Sequence, residues 1–233
     1  FSTENLEQLD ARFQAFATQQ LPLAPAMKIM RDIMVVKKAV EARTPLHAVN
    51  KMINFEDDPE LYRYVLHPPL LQALRQLLGP DLYSISTNVF NKPPGVDGRH
   101  PMHQDLRYFR IRPADNIIGT WTALLPATRR SGCLAVLPGS HKGELLEHDN
   151  PDWEYVNAGF YAAQGVDAAK RQHVEMQPGD TLLFHPLLIH GSGQNTSGDF
   201  RRAISAHFAA ADARSEIRDW HQGKQARAIP ASA

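Results

Sequence analysis

Thr181-Leu182-Leu183-Phe184-His185-Pro186-Leu187-Leu188-Ile189-His190-Gly191-Ser192-Gly193 is a short apolar run that opens after the turn signal Pro178-Gly179-Asp180 and closes on glycine. Turn residues on both sides predict a strand over residues 181–185. The pattern recurs. Residues 82–90, 117–125, 133–137, 173–176 and 202–208 read as further short strands, broken by Pro93-Pro94-Gly95, Arg130-Ser131-Gly132 and Pro138-Gly139. Many short, punctuated strands predict a sandwich or barrel rather than β-α-β units. The expected fold is mainly β with flanking helices, its core a double-stranded β-helix, or jelly roll, over about residues 81–212.

Up to about residue 80 the periodicity is helical. Leu6, Leu9, Phe13 and Phe16 recur at helical spacing. Asp58-Pro59 supplies a cap and a first-turn proline for a helix through Val65. Pro68-Pro69 starts another, which aligns Leu70, Leu74, Leu77 and Leu78 and stops at Gly79-Pro80. Residues 31–43 carry no clear period. The helices are expected to buttress the sheet within a single domain spanning 1–233. Residues 143–171 are long and aperiodic, which predicts either a lid or a disordered loop. Residues 209–211 and the polar tail after Trp220 read as an ending.

The chemical signal is His103-Gln104-Asp105. Alternate side chains of an extended strand share a face, so a histidine and a carboxylate two residues apart can grip one metal from one side. His190, between the apolar run and Gly191-Ser192-Gly193, is the candidate third ligand. Two histidines, one carboxylate and open coordination positions are the ligand set of non-haem Fe(II) oxygenases. Eleven residues after His190 stands Arg201, whose planar fork suits a carboxylate. Alternation puts Arg201 on one face with Ala203, Ser205 and His207, and Ile204 and Phe208 on the other.

Composition limits the alternatives. Twenty-five basic residues balance twenty-five acidic ones, which argues against a nucleic-acid partner held by phosphate neutralisation and favours a small-molecule substrate. Cys133 is the only cysteine, so an internal disulfide, a cysteine-rich zinc site and an iron–sulfur cluster are excluded. No apolar stretch approaches the roughly 20 residues of a membrane span. No leader precedes Phe1, and the missing initiator methionine is read as a trimmed start, with any targeting segment removed.

Four stretches together resemble the phytanoyl-CoA dioxygenase family: His103-Gln104-Asp105-Leu106, Leu137-Pro138-Gly139-Ser140-His141-Lys142-Gly143, Phe184 through Asn195, and Phe200-Arg201. Met30-Arg31-Asp32, Asn54-Phe55 and Asn91-Lys92-Pro93-Pro94 resemble family segments as well. The resemblance implies a cupin-like jelly roll, Fe(II) on His103, Asp105 and His190, and 2-oxoglutarate as co-substrate, with ascorbate as a further candidate. It implies hydroxylation of a fatty acyl-CoA at carbon 2 with release of succinate and carbon dioxide. Arg201 is expected to bind the distal carboxylate, helped by Ser192 and Trp121, with Lys51 near the other end. Asn88 stands where family members carry methionine, a departure that retunes the co-substrate site. The compartment is expected to be intracellular: cytoplasmic in a bacterium, peroxisomal in a eukaryote. Oligomeric state is left open.

Competing readings attach to several residues. His185 is a rival ligand, which the family pattern disfavours against His190. Trp121 could be an ordinary core aromatic, Ser192 a turn hydroxyl, and His141 a capping or packing residue. Arg107, Arg110 and Arg112 form either a solvated face or a basic rim for coenzyme A phosphates, with Arg129, Arg130 and Lys142 as further candidates. Asp105 argues against a halogenase, which vacates that position for halide. The remaining alternatives are the same chemistry on another small metabolite, a zinc hydrolase or isomerase on a related barrel, and a non-catalytic metal-binding jelly roll.

Overall fold

A computed structural model describes residues 1–215 and 226–232. In chain order it contains α1 (Thr3–Ala17), β1 (Lys28–Arg31), α2 (Ile33–Val36), β2 (Val49–Ile53), α3 (Pro59–Tyr62), α4 (Pro68–Leu78), β3 (Leu82–Lys92), β4 (His100–His103), β5 (Ile111–Arg112), β6 (Ile117–Ala123), β7 (Leu134–Val136), β8 (His148–Asp149), β9 (Ala162–Ala163), β10 (Gln172–Val174), β11 (Thr181–Phe184), β12 (His190–Ser192), β13 (Arg201–Ala210), β14 (Arg214–Ser215) and β15 (Arg227–Ala228). Two antiparallel sheets carry the architecture. The major sheet runs β1-β2-β3-β13-β6-β11, with β15 beside β3, and the minor sheet runs β10-β7-β12-β4. The expected jelly roll is what forms.

Helices cover the outer face of the major sheet. Ser2 caps α1 by accepting from Asn5 N, and Leu6, Leu9, Phe13 and Phe16 are buried as their spacing predicts. Asp58 caps α3 through Leu61 N and also takes a 2.6 Å ion pair from Arg12, joining α1 to α3. These helices pack with Met52, Val89, Ile204, Ala206 and Phe208 into one apolar cluster.

Several expectations need correction. The α3 helix ends at Tyr62, short of Val65. On α4 the buried stripe is Leu70, Leu71 and Leu74, with Leu78 packed against the cluster, while Leu77 is exposed because it falls off the four-residue row. The segment before residue 81 is not purely helical, since β1 and β2 extend the major sheet. The tail contributes β15, which pairs Arg227 with Ser84, and Ile229 is buried; Trp220 lies outside the described residues. Residues 143–171 hold the β8–β9 hairpin and a short 3-10 turn at Ala168–Lys170, and residues 158–161 reach the cavity between the sheets. That is the lid alternative.

Candidate active site

The two sheets enclose a cavity of about 340 Å³, within the range of roughly 300–1,000 Å³ usual for ligand pockets. His190 on β12 and His103 on β4 are direct cross-strand partners, with ring centroids 4.3 Å apart. Gly191 permits this approach, because a Cβ there would sit 2.8 Å from His100 O and 2.9 Å from Pro101 O. The strand ends at His103, so Asp105 is not a strand residue as the sequence suggested; it opens a 3-10 turn, Asp105–Tyr108. Gln104 between them is still extended (φ −119°, ψ 128°), which keeps the two side chains on one side. Donor atoms of His103, Asp105 and His190 lie within 4.8 Å of one another, and all three residues are buried.

Hydrogen bonds decide the tautomers. His103 Nδ1 lies 2.7 Å from Pro101 O and His190 Nδ1 lies 2.9 Å from Leu188 O. Carbonyls only accept, so each Nδ1 carries the proton and each Nε2 presents a lone pair. The His103 Nε2 lone pair then stands 3.1 Å from Asp105 Oδ1, and His190 Nε2 stands 3.8 Å from Asp105 Oδ2. Opposed lone pairs at that separation call for a cation between them, so the donor set fits a metal ion. Burial holds the His190 imidazolium down, to a pKa of about 4. For Asp105, burial pushes the carboxyl up, but the surrounding histidines outweigh it and hold the carboxyl well below its usual range.

Two residues that sequence reasoning left without a role complete this end. His207, reaching over from β13 in the major sheet, donates Nε2–H to Asp105 Oδ2 at 2.7 Å. It packs against Phe109 and Phe184, and its Nδ1 is buried without a partner among the described residues. Gln104, fully buried, has its side chain saturated: Nε2 donates to Glu144 O and Leu187 O, both at 3.0 Å, and Oε1 accepts from Leu146 N at 2.8 Å. Its backbone N–H donates to His148 Nε2 at 3.0 Å. The residue between two candidate ligands therefore ties them to the lid. Alternation along β13 signals that His207 faces inward; nothing local in the sequence signals Gln104.

Arg201 lies elsewhere in the same cavity, buried, with Nε donating to Gly132 O at 3.2 Å and its guanidinium 5.4 Å from the Trp121 ring centroid. Burial lowers its pKa to about 10, leaving it charged at neutral pH. Trp121, Ser192, Lys51 and Asn88 all line the cavity. The Lys51 ammonium faces Phe90 and Phe160 at 5.8 and 5.3 Å, and burial lowers its pKa to about 8 against a partial counter-pull from Asp105. Asn88 donates to Ser86 Oγ at 3.2 Å.

Other candidates fall outside. His185 pairs with Asp115 at 3.0 Å and does not line the cavity, so it does not compete with His190. His141 is exposed, rather than packed. None of Arg107, Arg110, Arg112, Arg129, Arg130 or Lys142 lines the cavity. Arg107 comes nearest, its guanidinium 4.0 Å above the ring centroid of Tyr161, which does line it. Arg112 donates to Phe109 O and Ile111 O, turning inward on its own loop.

A two-histidine, one-carboxylate centre between the sheets of a jelly roll, with a buried arginine in the same cavity, defines a class of non-haem metal oxygenases. The family model described as phytanoyl-CoA dioxygenase matches residues 1–203. A Caenorhabditis elegans protein called probable phytanoyl-CoA dioxygenase is 43% identical over 89% of this chain and 68% of its own length. The human protein called phytanoyl-CoA dioxygenase, peroxisomal, is 45% identical over 80% of this chain, which spans 56% of that protein. The chain belongs to the phytanoyl-CoA dioxygenase family. Among solved structures, EctD from S. alaskensis with 2-oxoglutarate and 5-hydroxyectoine aligns with a TM-score of 0.70 at 18% identity, over 97% of this chain and 78% of that one. The non-heme alpha ketoglutarate dependent carbocyclase SnoK aligns at 0.68 and 20% identity, over 99% and 89%. These likenesses show the fold.

Proposed function

We propose that the protein is an Fe(II)- and 2-oxoglutarate-dependent dioxygenase that hydroxylates a fatty acyl-CoA at carbon 2, consuming dioxygen and releasing succinate and carbon dioxide. The observation that carries the reading is the pair of tautomer-fixed histidines aiming bare Nε2 atoms at the Asp105 carboxylate, in one cavity with buried Arg201. Fe(II), when bound by His103, Asp105 and His190, supplies the dioxygen activation. The protein's part is positioning. His207 holds Asp105 by one oxygen, while Arg201, with Ser192 and Trp121, receives the distal carboxylate of 2-oxoglutarate and Lys51 attracts its other end. Phe160 and Tyr161 on the lid, with Tyr108, roof the cavity and exclude water from the reacting carbon. Arg107, stacked on the cavity-lining Tyr161, is the basic residue best placed to meet the coenzyme A phosphates. The names of the nematode and human relatives support the acyl-CoA substrate. The peroxisomal name of the human protein supports an intracellular compartment, and no helix among the described residues is long and apolar enough to cross a membrane.

The test is a panel of branched and straight acyl-CoA thioesters and their free acids, run with the Fe(II)-loaded protein, with and without ascorbate. Succinate formation is scored and mass spectrometry locates the new oxygen. Substrate-stimulated succinate with a 2-hydroxyacyl-CoA product is expected. A preference for free acids or an unrelated metabolite overturns the acyl-CoA assignment alone, and absence of succinate with every substrate overturns the oxygenase reading.

A further inference from the structure

Lys92 closes β3 and is the direct cross-strand partner of Arg201 on β13. Opposed residues of an antiparallel pair share a face, and two like charges placed so repel. Both side chains are buried, at 4% and 3% exposure, and both line the cavity. Neither takes part in an ion pair among the described residues. A buried cation costs free energy, and a second one beside it costs more, unless an anion sits against them. The fold nevertheless builds this pair deliberately. Gly132, at φ +78°, leaves the space that Lys92 occupies: a Cβ there would lie 2.9 Å from Lys92 Cδ and 2.6 Å from Gly193 O. Lys92 Nζ donates to Ser192 Oγ at 2.7 Å and to Gly193 O. An ammonium has no lone pair to offer, so the Ser192 oxygen is the acceptor in that bond and its own proton is free to point into the cavity. Arg201, Lys92 and the Ser192 hydroxyl thus converge as donors, two of them cationic, with Asp97 and Asp32 acting on Lys92 only from beyond ion-pair distance.

We propose that Lys92 is a specificity-determining residue of the co-substrate site, making it a two-cation pocket that selects a 2-oxo acid bearing a second carboxylate over one ending in an alkyl chain. This deepens the reading above and rests on its 2-oxoglutarate assignment. Lys92 acts in two ways: it adds charge beside Arg201, and it sets Ser192 as a hydrogen-bond donor to the carboxylate. Burial and then the neighbouring Arg201 charge push the Lys92 pKa down, against weaker opposing pulls from Asp97, Cys133 and Asp32, the direction a pocket waiting for an anion has.

The experiment compares 2-oxoglutarate with 2-oxopentanoate, which has the same carbon count without the distal carboxylate, by calorimetric titration of the Mn(II)-loaded protein without oxygen. In Lys92→Met, 2-oxoglutarate affinity is expected to fall roughly 10- to 100-fold while 2-oxopentanoate stays within about twofold. Mn(II) affinity is expected to hold, and the metal-free variant is expected to melt no lower than wild type, because an uncompensated buried charge is gone. Lys92→Gln, which keeps an N–H donor near Gly193 but no charge, is expected to lose discrimination as well. Unchanged 2-oxoglutarate affinity in both variants overturns the inference, and so does an equal loss for both acids, which would make Lys92 a scaffold. Failure of the wild type to prefer 2-oxoglutarate overturns the co-substrate reading itself and this inference with it.

Discussion

The two faces of β13 are equally buried and chemically opposite. Toward the helices it presents Arg202, satisfied by Asp10 on α1, and then Ile204, Ala206 and Phe208, packed in the large apolar cluster. Toward the minor sheet it presents Arg201, Ser205 and His207, which line the cavity. All ten residues of the strand are buried. Burial alone therefore does not distinguish core from site; what distinguishes them is whether each buried polar atom meets a partner. The outer face gains stability by excluding water, whereas the inner face gives up stability to hold charges and lone pairs that a metal and an anion can satisfy.

The sharpest way to break this comparison is to damage each face separately. Asp105→Ala is expected to abolish turnover and lower Fe(II) affinity by more than about 100-fold, with melting preserved, since it removes the group the three histidines surround. Phe208→Ala is expected to cost about 3–5 kcal/mol of unfolding free energy, measured by denaturant titration, while Fe(II) affinity in the folded protein survives. If both variants lose stability and metal together, the two faces are one cooperative unit and the distinction fails.

Smaller changes sharpen it. Arg201→Lys keeps the charge and loses the planar fork, so 2-oxoglutarate affinity is expected to fall by about 1–3 kcal/mol with the metal site intact, read by paired co-substrate and metal titrations. His207→Phe removes the N–H that holds Asp105 Oδ2 and is expected to weaken Fe(II) binding by roughly 10- to 100-fold, with a smaller effect on 2-oxoglutarate affinity at saturating metal. The smallest effect is on pH dependence. The folded pKa of Lys51 is lowered to about 8, so at higher pH the folded chain has lost a proton that the unfolded chain keeps until about 10.4. The unfolded state then binds more protons, and stability rises with pH across that window. Co-substrate affinity runs the other way, weakening as the ammonium is lost above about pH 8. Lys51→Met is expected to flatten both trends.

Much of this was readable in the chain. Alternation placed Arg201, Ser205 and His207 on one side of a strand and Ile204 and Phe208 on the other, and proline–glycine punctuation located β3, β6, β7, β10, β11 and β13 within a few residues. The β2 strand escaped because four of its five residues are buried, leaving no alternation to read. Leu77 departs from the helical pattern because the buried arc of α4 runs through Leu70, Leu71, Leu74 and Leu78 and leaves Leu77 at its solvent edge. The roles of Lys92 and His207 depend on partners about a hundred residues away, brought close by strand register and sheet closure, which no local pattern encodes. His103 and Asp105 stood out by residue type, yet the turn that presents Asp105 did not.

Gln104 has a consequence beyond spacing its neighbours. Its amide is anchored to Glu144, Leu146 and Leu187, so the covering segment and the candidate ligands share one clamp. Linkage through such a clamp is reciprocal: if an ion against Asp105 tightens the covering segment, then whatever holds that segment down tightens the ion by the same factor. Under such a clamp, release of the covering segment and release of an ion at Asp105 would be read as one event, with a shared dependence on the single amide of Gln104.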